Sequence, residues 1–440
     1  MNPRPVIPVR ELNGKLSAEA MASLDRRWRA AYLLLAPHRL GFFLAMVVLV
    51  AAGAWWALVQ LDRMSGALAL PYALSPSLAH GAVMTFGFLP LFFSGFLFTA
   101  GPKWLDVSPL PMGQLLTPML LQAGGWLLWL TGVHLSANLA IAALWVAACG
   151  LAWMTLLFGG LIRRSPAQDR VHALTVGAGC IVGCLSLAGL ALSLALDAPA
   201  VALACVLTGL WGFVLVVYLA VAHRMIPFFT SGALPRMDAW RPFWLLGLML
   251  AVAAFEVAAV WIELGGPPDG RGGAAWTLVR GMVELAAGGL LLWLALKWGL
   301  VKSLKNRLLA MLHIGFVWLG LALALGGVAQ LLGWAQGAVV LSLGPVHALT
   351  MGCLASLMLA MVTRVSCGHS GRALVADRIA WSLFWLLQAV TLMRIAGAAQ
   401  GAFAGGLLLA AALLWAAIMA VWGLRLGNWY GRLRADGRAA

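Results

Sequence analysis

HALTVGAGCIVGCLSLAGLALSLA, residues 172–195, runs its full length without a charged side chain. At about 1.5 Å per residue, a helix of that length crosses a hydrocarbon core of roughly 30 Å. Its opening, His-Ala-Leu-Thr followed by a hydrophobic residue and Gly, recurs at His347–Gly352, again at the mouth of a long apolar run, and a third run opens similarly with Ala79-His80-Gly81. The same length rule divides the chain into twelve apolar runs. They lie near 41–60, 78–99, 113–133, 137–161, 172–195, 199–222, 242–262, 276–296, 308–332, 338–362, 378–397 and 402–424. Breakers such as Ser75-Pro76, Gly101-Pro102, Ser165-Pro166, Pro227 and Gly265-Gly266-Pro267-Pro268 separate them. The expected fold is all-α, a polytopic membrane helical bundle of about twelve transmembrane helices.

Composition agrees. The chain is 63% hydrophobic and 10% charged, with a mean hydropathy of +0.95. A soluble domain has too little interior to hide that much apolar surface. The net charge of +15 does not point to nucleic acid, because of where it sits. Twenty-five of the 29 Lys and Arg residues fall in the N-terminal segment, in every second loop after it, and in the tail, and the alternate loops hold only Arg63, Arg271, Arg280 and Arg394. By the positive-inside rule both termini are cytoplasmic, and the arginines anchor topology against anionic lipid. Residues 1–40 read as a cytoplasmic segment with an interfacial helix from Ala18 to Leu40 that places Leu33–Leu35 in lipid. Residues 41–426 read as the transmembrane domain and 427–440 as a basic cytoplasmic tail. The charged first forty residues do not suit a cleavable signal, so the first run reads as a retained span. Cys149, Cys180, Cys184, Cys205, Cys353 and Cys367 lie in or beside apolar runs and form no disulfide framework.

Histidine is scarce, with eight in 440 residues, so its placement at the mouths of spans carries information. A buried imidazole is costly unless it is bonded, and metal or heme iron is one partner that accepts it. Topology sorts the eight three ways. His80 and His347 share the periplasmic side, His172, His223, His313 and His369 share the cytoplasmic side, and His38 and His134 read as bystanders. Two imidazoles from different helices suit an axially ligated heme, and three, or imidazoles with a thiol, suit copper. For each histidine singly, a helix-end residue bonded to a carbonyl or a headgroup is the competing reading. Arg280 and Glu284, spaced i, i+4, read as an ion pair, with Glu256 the other deep acid. Many tryptophans lie near span ends, the ordinary aromatic belt.

GPVHALTMGCLASLMLAMVTRVSCGHSGR (Gly344–Arg372), SGFLFTAGPKW (Ser94–Trp104) and RMIPFFT (Arg224–Thr230) resemble stretches of the NnrS family. Those are twelve-span bacterial membrane proteins associated with heme, copper and the nitric oxide response. In the family, the second span begins with two alternating histidines, then Glu-Met and Phe-Gly. Met84, Phe86 and Gly87 keep that register and align His80 with the first histidine, while Ala82 and Val83 replace the second histidine and the Glu. His223 stands where the family pattern places Gly before the Arg-Met-Ile-Pro run.

The resemblance implies a multi-pass protein of the bacterial inner membrane that binds heme and copper and handles nitric oxide or a related small molecule. It leaves open whether nitric oxide is chemically converted, and by what electron donor. His80, His347, His313, His172 and His223 are the candidate heme ligands, and His80, His347 and His369 the candidate metal ligands. Arg364 and Arg372 would meet heme propionates only for a cytoplasmic-side heme, and Arg224 belongs to the same basic face. The alternative is a twelve-span secondary transporter without a metal, since the two His-Ala-Leu-Thr helices cross in opposite senses, as an inverted repeat requires. A heme–copper oxidase or nitric oxide reductase subunit is disfavoured, because such subunits place adjacent histidines at copper and the chain has no His-His pair.

Overall fold

The computed structural model describes residues 27–234, 238–266, 271–399 and 401–436. Residues 18–26 of the expected interfacial helix lie outside them, as do Arg4, Arg10, Lys15, Arg26, Arg236, Pro267, Pro268 and Arg438. A helix covers each of the twelve runs, and no strand occurs among the described residues. The helices are α1 (Pro37–Ser65), α2 (Pro76–Leu105), α3 (Met112–Leu135), α4 (Ala137–Arg164), α5 (Val171–Ala195), α6 (Pro199–Ala233), α7 (Phe243–Leu264), α8 (Arg271–Lys297), α9 (Arg307–Gln336), α10 (Gly344–His369), α11 (Arg378–Ala396) and α12 (Ala404–Tyr430). Eleven of these are long and apolar enough to cross a membrane. The exception is α3, which has the length, but Gln114, Pro118, Gln122 and its glycines dilute its hydropathy. It packs closely on α4, where a methyl group added at Gly150 would lie 2.7 Å from the Pro118 carbonyl oxygen. Such small-residue contact is how helices hold together in lipid, where apolar surface alone gives little drive.

Contacts between loops gather the helix ends into two groups. At one end the Arg29 amide donates to Gly431 O (2.8 Å) and the Ser165 hydroxyl to Leu105 O (2.6 Å). Trp298 Nε1 donates to Trp240 O (3.1 Å) there, and Arg434 Nη1 to His369 O (3.2 Å). This is the arginine-rich end, and it holds both ends of the described chain. At the arginine-poor end, the Ala73 amide donates to Val133 O (2.7 Å).

Burial is uneven around the bundle. Of the most apolar window in each span, 78% is buried in α2 and α10, 67% in α9 and 61% in α6, against 33–50% in the other candidates. Three of these interior helices are irregular. α2 breaks after Phe86 and restarts at Leu89; Pro90 cannot donate to the preceding turn and its ring would clash there. α6 and α10 carry π-helical turns at Leu210–Leu215 and Ala348–Ala355. Wide turns of this kind are rare and frequent at functional sites. Glycines make room for rings beside them: the Phe86 ring occupies the space a methyl at Gly209 would need, and Trp318 does the same at Gly352.

Several boundaries differ from the sequence expectation. α2 runs through the expected breaker Gly101-Pro102 to Leu105, and α6 through Pro227 to Ala233, because neighbouring helices hold these last turns in place. α10 spans 344–369 rather than 338–362, so Arg364 and His369 are helical instead of lying in a loop. Its polar end is satisfied in place, with Trp422 Nε1 donating to Thr363 Oγ1 (3.1 Å) and Ser366 Oγ bonded to the Tyr430 hydroxyl (2.6 Å). α12 continues to Tyr430, beyond the expected start of the tail. Before α1, Ala30–Leu35 forms a 3₁₀ segment in which Leu33 is buried against the bundle, while Leu34 and Leu35 face outward.

Candidate functional site

His80 and His347 lie at the arginine-poor end of the two most buried spans. The His80 ring stacks on Trp56, with centroids 3.9 Å apart and planes 15° from parallel, and lies within electrostatic range of His347, Arg394 and Arg63. His347 is within range of Arg394 as well. His347 Nδ1 sits 2.9 Å from Leu343 O. A carbonyl only accepts, so Nδ1 carries the proton and Nε2 keeps its lone pair. Ligating histidines commonly show this arrangement, with the far N–H held by a backbone carbonyl. His80 Nδ1 is buried and has no hydrogen-bond partner among the described residues.

The histidines expected on the opposite side do not form one group. His172 Nε2 and His223 Nδ1 are 3.0 Å apart and buried, and His223 Nε2 is 3.2 Å from Pro242 O. With both rings neutral, His223 donates to Pro242 and accepts from His172, leaving a buried lone pair on His172 Nδ1, which has no partner among the described residues. His313 stands apart. The Thr230 hydroxyl donates to Ile226 O (2.8 Å) and so accepts from His313 Nε2 (2.9 Å). His369 packs against His38 with ring centroids 4.3 Å apart. It lies at the far end of α10 from His347, 22 residues on and so roughly 33 Å along the axis. His80, His347 and His369 therefore do not share one centre. Among the described residues no three His, Cys, Asp or Glu side chains gather as a metal site requires.

His134 is satisfied at both ring nitrogens, by Trp55 Nε1 (2.7 Å) and Pro71 O (2.7 Å). Sequence reasoning set His38 aside as a bystander, yet it pairs with His369; nothing in its position before the first span signals that. Trp56 and Arg394 were likewise missed as neighbours of His80. Arg394 was visible as one of the few cations on the sparsely charged side.

Arg280 and Glu284 pair as the spacing suggested (2.8 Å). Glu256, the other deep acid, reaches across from α7 to Arg280 (3.1 Å), and Glu263 makes a third ion pair with the same guanidinium.

An apolar chamber of about 70 Å³ lies toward the arginine-rich half. Its walls draw on all three stretches singled out in the sequence: Phe96 and Leu97, Met225 and Ile226, and Met358 and Met361. Arg224 lies over Trp104 (5.0 Å) and Arg364 over Phe229 (4.0 Å), so cation–π contacts tie the same stretches together beside it. No histidine lines this chamber. A second cavity, about 250 Å³, has a mixed lining that includes Cys367, Arg372, Asp377, Arg425 and Trp429. There Arg372, lowered from its ordinary pKa by burial, and Arg425 flank the Trp429 ring at 4.3 and 5.0 Å.

None of the curated proteins matches the chain. Comparison with protein families matches the NnrS protein family over residues 32–434, nearly the whole chain. The chain belongs to the NnrS family.

Proposed function

We propose that this protein binds heme between α2 and α10, with His80 and His347 as the ligating pair, and serves the nitric oxide response with which the family is associated. The observation that carries the reading is His347. Its Nδ1–H is fixed on Leu343 O, which leaves Nε2 ready to ligate, in electrostatic range of a second, half-buried imidazole on another interior helix. The residues fit the group. Trp56 offers an aromatic face beside His80, and the π-turn begins at the residue after His347. Arg394 and Arg63 supply positive charge for propionates. Bound there, heme would supply an iron that takes up nitric oxide, while the chain holds its ligands and screens it from water.

Arg364 and Arg372 then have other work. Arg364 is 17 residues from His347 on one helix, about 26 Å along the axis, and it acts as an aromatic-backed anchor. The reading assigns no copper, because the three-ligand cluster copper needs is not found among the described residues. The distribution of Lys and Arg supports an arginine-rich end facing the cytoplasm and a heme near the periplasmic face of the inner membrane. Pyridine hemochrome and iron analysis of the purified protein from heme-replete cells tests the reading. Heme at about one per chain is expected, and a colourless, iron-free protein favours the transporter alternative.

A further inference from the structure

Three carboxylates and one guanidinium meet between α7 and α8. Arg280 bonds Glu256 Oε2 through Nη2 (3.1 Å), Glu284 Oε1 through Nε (2.8 Å) and Glu263 through Nη1. Glu256 and Glu284 are almost wholly enclosed, at 1% and 4% exposure, whereas the Glu263 side chain is 42% exposed. Glu256 lies eight residues before the end of α7, about 12 Å in, and Glu284 lies eleven residues beyond Gly273, about 17 Å in. The two buried carboxyls bond the same guanidinium, which brings their ends to one place. Glu256 Oε1 and Glu284 Oε2 are buried and have no acceptor-compatible donor among the described residues.

The charges do not balance. Two enclosed carboxylates face one enclosed cation, and an unpaired charge at this depth is strongly unfavourable. Among the described residues, Arg280 is the cation that pairs with Glu256 and Glu284. From α9 the neighbours are Gly326, where a methyl would lie 2.6 Å from Glu284 Oε2, and Gln330 near Gly281; Pro345 adjoins from α10. Trp276 donates to the outer Glu263 (3.4 Å). When two like-charged carboxyls share a site, one proton between them removes the excess charge and gives the unpartnered oxygens a donor and an acceptor.

We propose that Glu256 and Glu284, held by Arg280, form a proton-binding site that carries one shared proton inside the bundle and exchanges it with the arginine-poor face through Glu263. Arg280 neutralises the remaining carboxylate, and the half-exposed Glu263 links the pair to water. The ligand is a proton rather than a metal cation, because Arg280 already takes one oxygen of each carboxyl. The proposal is independent of heme at His80 and His347.

Infrared spectroscopy of the full-length protein in lipid nanodiscs reads the proton directly. The chain has five glutamates, Glu11, Glu19, Glu256, Glu263 and Glu284, so carbon-13 glutamate labelling makes the bands assignable. At neutral pH we expect one protonated carboxylic-acid carbonyl band per chain, shifted by the label and by deuterium exchange. Glu256→Gln and Glu284→Gln should each abolish it, since the surviving carboxylate then pairs with Arg280. Glu263→Gln should retain it and slow its exchange. An unmutated protein without such a band would overturn the proposal, and so would a band lost only in Glu263→Gln. If a Gln variant fails to fold, the labelled unmutated protein still decides.

Discussion

The Arg364 guanidinium lies 4.0 Å from the centre of the Phe229 ring, joining the basic end of α10 to the last turn of α6. Arg224, at the start of the same α6 stretch, lies over Trp104 of α2. Three segments far apart in sequence are thus pinned around the apolar chamber. A desolvated cation–π contact contributes up to about 2 kcal/mol. Arg364→Gln should therefore lower the thermal midpoint in detergent measurably, and Arg364→Lys should lower it less. Equal midpoints for all three proteins would show the contact to be incidental.

The chamber itself should take up small apolar guests. Cavities lined by hydrocarbon and aromatic side chains stay dry and accept xenon. Ala222 lines this one, so Ala222→Trp should fill it. Xenon-129 NMR should then detect a bound population in the parent protein and little or none in the variant. Equal xenon uptake by both would place the guest elsewhere.

His172 and His223 are a mutually dependent pair. Removing His172 leaves His223 Nδ1 buried without its donor, at a cost of about 1–3 kcal/mol. His172→Phe and His223→Phe should each destabilise the protein, and the double variant should lose less than the sum. Additive losses in a double-mutant cycle would mean that the 3.0 Å contact contributes no coupling.

Asp377 gives a pH dependence outside the spans. It accepts from Arg425, and from the Ala380 amide as the cap of α11 (3.0 Å). The Arg425 hydrogen bond is the main cause holding its carboxyl below the ordinary range. A carboxyl depressed in the folded state adds stability above its unfolded value, ~3.9, and loses it as pH falls through the folded value. Asp377→Asn keeps a capping oxygen but removes the charge. The midpoint difference between parent and variant should be full near about pH 6 and should shrink below about pH 4. A pH-independent difference would assign the effect to the cap alone.

Much of this was legible in the chain. The twelve runs and their alternating charge follow from length and desolvation, and the Arg280–Glu284 pair follows from helical spacing. His80 and His347 could be matched by counting spans, because each sits near the mouth of its run. Other features depend on which helices neighbour one another, which spacing along one helix does not encode. Glu256 reaches Arg280 from another helix, His369 meets His38 across most of the sequence, and His172 leaves His313 for His223. The end of α10 was misplaced because Thr363, Arg364 and Ser366 look like a loop by hydropathy, and only their partners on α6 and α12 make them helical.

The central claim is that His80 and His347 hold heme, and the most direct test is the absorption spectrum of single histidine variants purified in parallel. His80→Ala and His347→Ala should each lose the Soret band or shift it, while His172→Ala and His313→Ala should keep the parent spectrum. An unchanged Soret band in His347→Ala, with loss in either of the other two, would contradict the account and move the heme to the arginine-rich half.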